Sequence, residues 1–313
     1  MPTRPRRRPA GFNLIELLVV ISIIAVLVGL TMAGVQKVRD AGKRTQVRVE
    51  IGQLDTSLNT FMQKMSVREV ASRGTTTTFD LRSNYAGFEG TREYRYLRSL
   101  FPSAALGAND DGWVAAMSSD GIGNGLPNVS LNSAQILTFW LGGFYRDTTI
   151  PGNPGLIWNQ GFNKDARFPF RTAGNPAAKL GPIFDFPSSG NRMVDSAGKS
   201  ITDQTSVGPF YFLDPFGTPY CFFSTEDGRD NNYRAGAFFE WNGSRAVPLL
   251  TKPGAYASPK TFQVFSAGKN KKFAFATSFV GPQQWQPGTG SFVDNGDGGD
   301  DLANFYPNQL SVQ

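Results

Sequence analysis

From Leu17 to Gln36 the chain runs for 20 residues without a charge. As an α-helix rising about 1.5 Å per residue, that run is about 30 Å long, the hydrocarbon thickness of a bilayer. A helix of a soluble core carries one apolar stripe, whereas this run is apolar on every side. It has to meet lipid or other apolar helices all round. Four arginines (Arg4, Arg6, Arg7 and Arg8) precede it within the first eleven residues. By the positive-inside rule they place the N-terminus in the cytoplasm and everything after Val35 on the other side of the membrane.

Composition narrows the chemistry. The 313 residues contain no His and a single cysteine, Cys221. Imidazole catalysis, His-ligated zinc, His-based pH switching, an internal disulfide and a four-Cys metal centre are all excluded. Hard-cation sites built from carboxylates and carbonyls stay open. Lys and Arg number 31 against 25 Asp and Glu, a net charge of +6, but without Met1–Gly11 the balance is 27 against 25, or +2. The basic character is therefore one terminal cluster and does not point to a nucleic-acid partner. The 35 Gly, 26 Phe and 20 Pro, with 18% charged residues, suit a turn-rich β region.

Simpler readings of the N-terminus leave residues unexplained. A secretory signal peptide has a shorter apolar region ending in a small-x-small site, and Thr31-Met32-Ala33 is only a passable one. A lipoprotein would need a cysteine at the end of the run. A plain uncleaved anchor accounts for neither Gly11 at the boundary nor Glu16 inside the apolar stretch. A carboxylate at the bilayer centre costs about 2.5–3.5 kcal/mol, less near an interface, so Glu16 calls for a partner.

Gly11-Phe12-Asn13-Leu14-Ile15-Glu16-Leu17-Leu18-Val19-Val20, behind its basic leader, resembles the N-terminal signature of type IV pilins and type II secretion pseudopilins. The resemblance implies that a prepilin peptidase cuts between Gly11 and Phe12 and methylates Phe12. It implies that Glu16 is the assembly glutamate. The partners it implies are that peptidase, a homo- or hetero-oligomeric filament of pilin-like subunits, an inner-membrane assembly platform, and membrane lipid before assembly. The implied location is the bacterial inner membrane, single-pass, with a periplasmic globular domain, and then the filament. Electrostatics agrees with the resemblance. Cleavage removes the arginines and creates a cationic amine at Phe12, which the Glu16 carboxylate of a neighbouring subunit can meet. Breaking one partner of such a buried pair costs about 3–5 kcal/mol.

Beyond the membrane run, Val47, Ile51, Leu54, Leu58, Phe61 and Met65 recur at intervals of 4, 3, 4, 3 and 4. That is one apolar face of a helix, too short for a sustained coiled coil and suited to packing on the domain that follows. The organisation read from the chain is a leader (1–11), a membrane or filament-core helix (12–35), an amphipathic helix (36–66) and an extracytoplasmic β-rich domain (67–313).

Within that domain Glu93–Phe101 and Ser133–Leu141 read as short helices, the second with Ser133 as N-cap and Gly142-Gly143 as stop. The stretch 144–203 is loop-heavy, which means either functional loops or strands too short to show a period. Phe210–Leu213 and Pro219–Phe223 read as strands joined by a turn at Asp214–Thr218, and Ala237–Trp241, Thr261–Ser266 and Phe273–Val280 as further strands. The expected fold is α+β: a long N-terminal helix, half membrane and half amphipathic, packed on one face of a small antiparallel sheet with a loop-rich insertion. Asp214-Pro215-Phe216-Gly217-Thr218-Pro219-Tyr220 resembles a turn of the major pseudopilin of type II secretion.

Near the C-terminus Asp294, Asp297, Asp300 and Asp301 crowd into eight residues with intervening glycines. Such acids repel unless neutralised, either by water in a solvated loop or by calcium, which takes six to eight oxygens at about 2.3–2.6 Å. The spacing is not that of an EF-hand. The resemblance to the major pseudopilin implies a calcium site joining Ser266-Ala267-Gly268 to Asp300-Asp301-Leu302-Ala303-Asn304-Phe305, with Ser266, Asp297, Asp300 and Asp301 as ligands. The Lys269-Asn270-Lys271-Lys272 stretch is an alternative source of neutralising charge.

Two functions of different class stand on this reading. The first is a structural subunit of a pseudopilus or type IV pilus-like filament, without catalysis of its own. The alternative is a membrane-anchored extracytoplasmic protein that binds a ligand or substrate and uses a prepilin-type export signal. An enzyme fits less well: adjacent carboxylates such as Glu226 and Asp227 do not define the separation that glycoside hydrolysis needs.

Overall fold

The apolar run and the amphipathic stretch after it form one 52-residue helix, α1 (Leu14–Met65), in the computed structural model. The structure describes residues 14–110, 123–146, 156–158, 161–170, 179–187, 191–203, 206, 208–234, 236–276, 283–284 and 300–310. Gly11, Phe12 and Asp297 lie outside the described residues. The chain divides into two units between Thr45 and Gln46.

In the first unit every large apolar side chain from Leu14 to Val38 is exposed, by 47% to 77%. By length and composition this helix is apolar enough to cross a membrane. Ser22 and Thr31 turn their hydroxyls onto the helix's own carbonyls, Val19 O at 2.7 Å and Leu27 O at 3.0 Å. Both hydroxyls are thus satisfied within the helix itself.

The second unit begins with the last five turns of α1. Here Val47, Ile51, Leu54, Leu58 and Phe61 are buried and Met65 is partly buried against the same core, as the spacing predicts. Among the described residues two shorter helices join α1. α2 (Arg92–Leu100) starts at Thr91, whose hydroxyl accepts the Tyr94 amide. α3 (Ser133–Gly142) is capped by Asn132 and not by Ser133: Asn132 Oδ1 accepts the amides of Ala134 and Gln135 at 3.1 and 3.0 Å, and Gln135 Oε1 accepts the Asn132 amide at 3.2 Å. This reciprocal box leaves Ser133 as the first helical residue. α3 ends at Gly143, where φ is +66° and a Cβ would fall 2.6 Å from the carbonyl carbon of Gly161. Only glycine admits that approach.

Trp140 on α3 is the hub of the core. Its ring meets those of Phe61, Phe79, Tyr96 and Phe139 at centroid distances of 5.8, 5.4, 5.3 and 4.4 Å. Its indole N–H donates to Ala71 O at 2.8 Å, so the polar atom of a fully buried side chain is satisfied. Tyr85, Tyr96, Phe101, Phe162, Phe170 and Phe186 are also buried. The long stretch between positions 85 and 206 therefore builds core as well as surface.

The largest sheet has four antiparallel strands in the order Tyr306–Gln309, Leu302–Ala303, Phe262–Ser266, Cys221–Ser224. Phe222, Phe262, Val264 and Leu302 point into the core shared with the helices. Cys221, Phe223, Phe265 and Ala303 point into a second core with Phe239, Val247, Leu249, Phe273 and Phe275. The sheet is thus covered on both faces, not on the helix face alone. The Cys-Phe-Phe run lacks a polar alternate because neither face meets water. The one polar residue of the facing strand's Phe-Gln-Val-Phe run, Gln263, is buried with its side-chain amide bonded to the Leu249 backbone at 2.8 and 3.0 Å.

The hairpin read at Asp214 forms in a short version, with the Asp214 amide on Thr218 O at 2.7 Å, and its arms pair onward with other strands. Cys221–Ser224 pairs with Phe262–Ser266, while Tyr211–Phe212 pairs with Met193–Val194. Across the turn there remain a bridge between Leu213 and Pro219 and the Tyr220 amide on Phe212 O. The loop-heavy stretch holds strands of two or three residues, Phe144–Arg146 with Leu156–Trp158 and Phe162–Asn163 with Lys179–Leu180. Of Phe273–Val280, the described strand is Phe275–Ala276.

Candidate functional site

Glu16 lies in the first turn of α1, where the helix dipole favours a carboxylate. The expected cleavage and methylation residues, Gly11 and Phe12, lie outside the described residues.

The C-terminal residues singled out from the sequence do converge. Ser266 ends its strand directly opposite Leu302, next to Asp301. Gly268, at φ +65°, lies so close to Asp300 that a Cβ would fall 2.2 Å from the Asp300 carbonyl oxygen. Asp300 Oδ2 accepts the Asn270 amide at 2.8 Å. The two chain segments are thus in contact, as the reading of a joint site requires. Their chemistry is divided, however. Ser266 is fully buried; its hydroxyl donates to Asp214 Oδ2 at 2.6 Å and accepts the Gly268 amide at 3.2 Å. Asp301 is 2% exposed, and its charge adds to burial in raising the Cys221 thiol well above its ordinary value.

A calcium ion needs six to eight hard oxygens. Among the described residues no group of three acidic or thiol side chains is arranged to hold a metal. Asp300 and Asp301 supply the right donor type, and Asp297 lies outside the described residues.

Asp214, first residue of the Asp-Pro-aromatic-Gly turn, is the organiser that sequence reading passed over. It is 2% exposed, and its Oδ1 accepts the amides of Phe216 and Thr218 at 2.8 and 3.0 Å. Burial raises its carboxyl above the usual value, against these hydrogen bonds and that of Ser266. One buried carboxylate therefore ties the turn to the end of the central strand.

A second missed cluster anchors the helix. Glu50 of α1 takes two hydrogen bonds of 2.6 Å from Arg192, one on each oxygen, and a third from the Tyr220 hydroxyl at 2.7 Å. Arg192 Nε also donates to Leu213 O at 2.9 Å, and its guanidinium stands 4.8 Å from the Phe212 ring centre. Burial alone would raise the Glu50 carboxyl, but Arg192 and Tyr220 outweigh it and hold the group below its ordinary value. One turn along, Asn304 donates to Asp55 Oδ1 at 2.7 Å and accepts the Val264 amide at 2.9 Å, fastening the sheet to α1.

Glu226, a member of the adjacent acidic pair, has one oxygen within 3.5–3.9 Å of nitrogens of Arg73, Arg92 and Arg234. Arg92 also pairs with Glu69 at 2.8 Å. Burial pushes the Glu69 carboxyl up and lowers Arg73 to about 10. This network joins the segment after α1 to α2 and to the 226–234 loop, so its charges serve the architecture. A cavity of 750 Å³ is lined by Asn191, Asp195, Lys199 and Trp241 among others. Asp195 Oδ1 there accepts the amides of Ala197 and Lys199 in its own loop, both at 2.9 Å.

In comparison with known families, residues 6–32 fit the family described as the prokaryotic N-terminal methylation motif. No curated protein and no solved structure matches the chain. The chain therefore carries a prepilin-type methylation signal at the head of a long apolar helix.

Proposed function

We propose that this chain is a structural subunit of a type II secretion pseudopilus or type IV pilus-like filament. The observation that carries the reading is the methylation motif over residues 6–32, continuous with a helix whose large apolar side chains are exposed from Leu14 to Val38. A prepilin peptidase cuts after Gly11 and methylates Phe12. The helix then holds the subunit in the inner membrane, N-terminus cytoplasmic, until the assembly platform draws it into the filament. Glu16 meets the Phe12 amine of a neighbour, so register and charge compensation are set by one contact. The folded unit from Gln46 onward is the extracytoplasmic body, without catalysis of its own. Calcium, held by Asp300 and Asp301 with Asp297, closes the C-terminal loop against the Ser266 turn.

The alternative of a ligand-binding protein predicts convergent polar groups left open in a cleft. Asp195, at the 750 Å³ cavity, instead turns one carboxylate oxygen to amides of its own loop, which favours the filament subunit. Mass spectrometry of the N-terminus in cells with prepilin peptidase tests the proposal. An N-methylated Phe12 is expected; an intact Met1, or a terminus after Ala33, overturns it.

A further inference from the structure

A band of charge follows the apolar run directly. Lys37, Arg39, Lys43 and Arg44, with Asp40 among them, put a net +3 into eight residues. α1 continues through all of them without a break. Lys37, Arg39 and Lys43 are exposed and Arg44 is half-buried. The neighbouring Val35 and Val38 are 49% and 72% exposed.

At about 100° per residue, Lys37 and Arg44 project within about 20° of each other, and Arg39 and Lys43 within about 40° of each other. Together the four cations fan over about 160° of the helix circumference, more than the roughly 100° stripe through which a helix packs on protein. Along the axis they lie within about 12 Å of the end of the uncharged run. That height corresponds to the headgroup layer and the first Debye length above it, about 8–10 Å. The surface that meets exposed cations at that height, over so wide an arc, is a lipid leaflet.

Their position runs against the usual bias. Four leader arginines stand before the apolar run and these four cations stand after it. Once cleavage after Gly11 removes the leader, only the second group of side-chain cations remains beside the run. Resting on the membrane-anchored reading above, we propose that residues 37–44 form a binding surface for the headgroups of anionic phospholipids in the leaflet where α1 leaves the membrane. It takes over electrostatic anchoring from the leader after processing. Each cation near an anionic surface is worth about 1 kcal/mol, so even one effective contact gives about a fivefold preference for anionic over zwitterionic lipid.

The test uses the full chain with Ala41→Cys labelled by an environment-sensitive fluorophore, the native Cys221 being buried. The chain is reconstituted in phosphatidylcholine vesicles containing spin-labelled phosphatidylglycerol or spin-labelled phosphatidylcholine as quencher. The expected result is insertion in both cases. Quenching by phosphatidylglycerol should report an association about fivefold or more stronger at low salt. High salt should remove the preference, and so should the combined Lys37→Gln, Arg39→Gln, Lys43→Gln and Arg44→Gln chain, while insertion persists. Equal quenching by the two lipids, or a preference that survives the four substitutions, overturns the lipid surface and leaves the anchor reading standing. A label that stays in water in every vesicle overturns the anchor reading and the lipid surface together.

Discussion

The two halves of α1 share a backbone conformation and little else. From Leu14 to Val38 the apolar side chains cover the whole circumference and all the large ones are exposed. From Val47 to Phe61 they form a single stripe, and that stripe is buried. Hydroxyls of both halves bond carbonyls of their own helix, Thr56 and Thr60 in the second half included, and the halves differ in where their longer polar side chains reach. Ser22 and Thr31 bond the carbonyls of their own helix, whereas Glu50 and Asp55 reach Arg192 and Asn304, partners 142 and 249 positions away. Helix formation is common to both halves, so it cannot determine what either half binds. The distribution of apolar side chains around the axis does. A full circumference calls for lipid or other helices, and a stripe calls for the chain's own domain.

The sharpest way to separate the halves is at Glu16. Glu16→Ala removes a carboxylate that is costly in the membrane, so anchoring should be unharmed or improved. Incorporation into filaments, measured by shearing and immunoblot, should be lost, because a neighbour's Phe12 amine keeps its charge without a partner. The unfolding of the domain from Gln46 onward should not change. Normal filament yield from this variant would count against the pairing.

At Glu50 the second half should show the opposite behaviour. Arg192→Ala leaves a buried carboxylate without its main partner and should destabilise the folded unit by about 3–5 kcal/mol in denaturant titrations. The pH dependence has a definite sign. The folded state holds Glu50 below its ordinary value, so its contribution is complete above the unfolded pKa of about 4.3 and is lost as pH falls through the lower folded value. Asp214 and Glu69 are raised by burial, so protonating them favours the folded state and works against that loss. Glu50→Gln isolates the first contribution: its stability deficit should be largest near neutrality and shrink below pH ~4. A deficit that does not change with pH would show that the cluster acts through packing alone.

Truncating apolar side chains tests the comparison directly. Leu58→Ala, at a fully buried position, should cost about 2–5 kcal/mol. Ile24→Ala, at a position 53% exposed, should leave the denaturation midpoint of the same protein in detergent unchanged. Equal losses would mean that the two halves share one core.

How much of this was legible follows the same physics. The 20-residue uncharged run and the 4-3-4-3-4 spacing are long-range periodic signals, and both halves of α1 were visible in them. The methylation motif was visible because its residues are contiguous. Strands of two residues such as Phe162–Asn163 span a single period of alternation, too little to show a repeat. The pairing of Cys221–Ser224 with Phe262–Ser266 joins segments far apart in the chain, and no local pattern carries that register. Arg192 sits in a loop-rich stretch with nothing to link it to a glutamate 142 residues earlier. Asp214 was seen as a turn residue, and its bond to Ser266 depends on a register that the local pattern does not contain.

Calcium is the next effect in size. If Asp297, Asp300 and Asp301 hold the ion, a hundredfold excess over Kd should stabilise the folded unit by about 2.7 kcal/mol. Thermal unfolding of the detergent-solubilised chain should then shift upward in millimolar calcium relative to chelator. Asp300→Ala is the better probe, since its carboxylate accepts the Asn270 amide of an exposed turn, while Asp301 is buried and its removal disturbs the core. Identical melting with calcium and with chelator would assign the neutralising charge to Lys269, Lys271 and Lys272.

The smallest effect concerns the Asp55–Asn304 bond, and it bears most closely on how the second half of α1 is held. Asn304 makes three links at once: its amide group donates to Asp55 Oδ1 at 2.7 Å and to Phe262 O at 3.3 Å, and its side-chain oxygen accepts the Val264 amide at 2.9 Å. Asn304→Ala therefore loses more than the helix contact, and by itself it cannot measure that contact. A double-mutant cycle with Asp55→Ala removes the common losses. The coupling should be about 1.5 kcal/mol, the low end for a hydrogen bond to a charged group. The same cycle with Thr31→Val in place of Asp55→Ala should give a coupling near zero, because the Thr31 hydroxyl bonds only within its own helix. A coupling between Thr31 and Asn304 would mean that the first half of α1 also reports to the folded unit, and the division drawn between the two halves would fail.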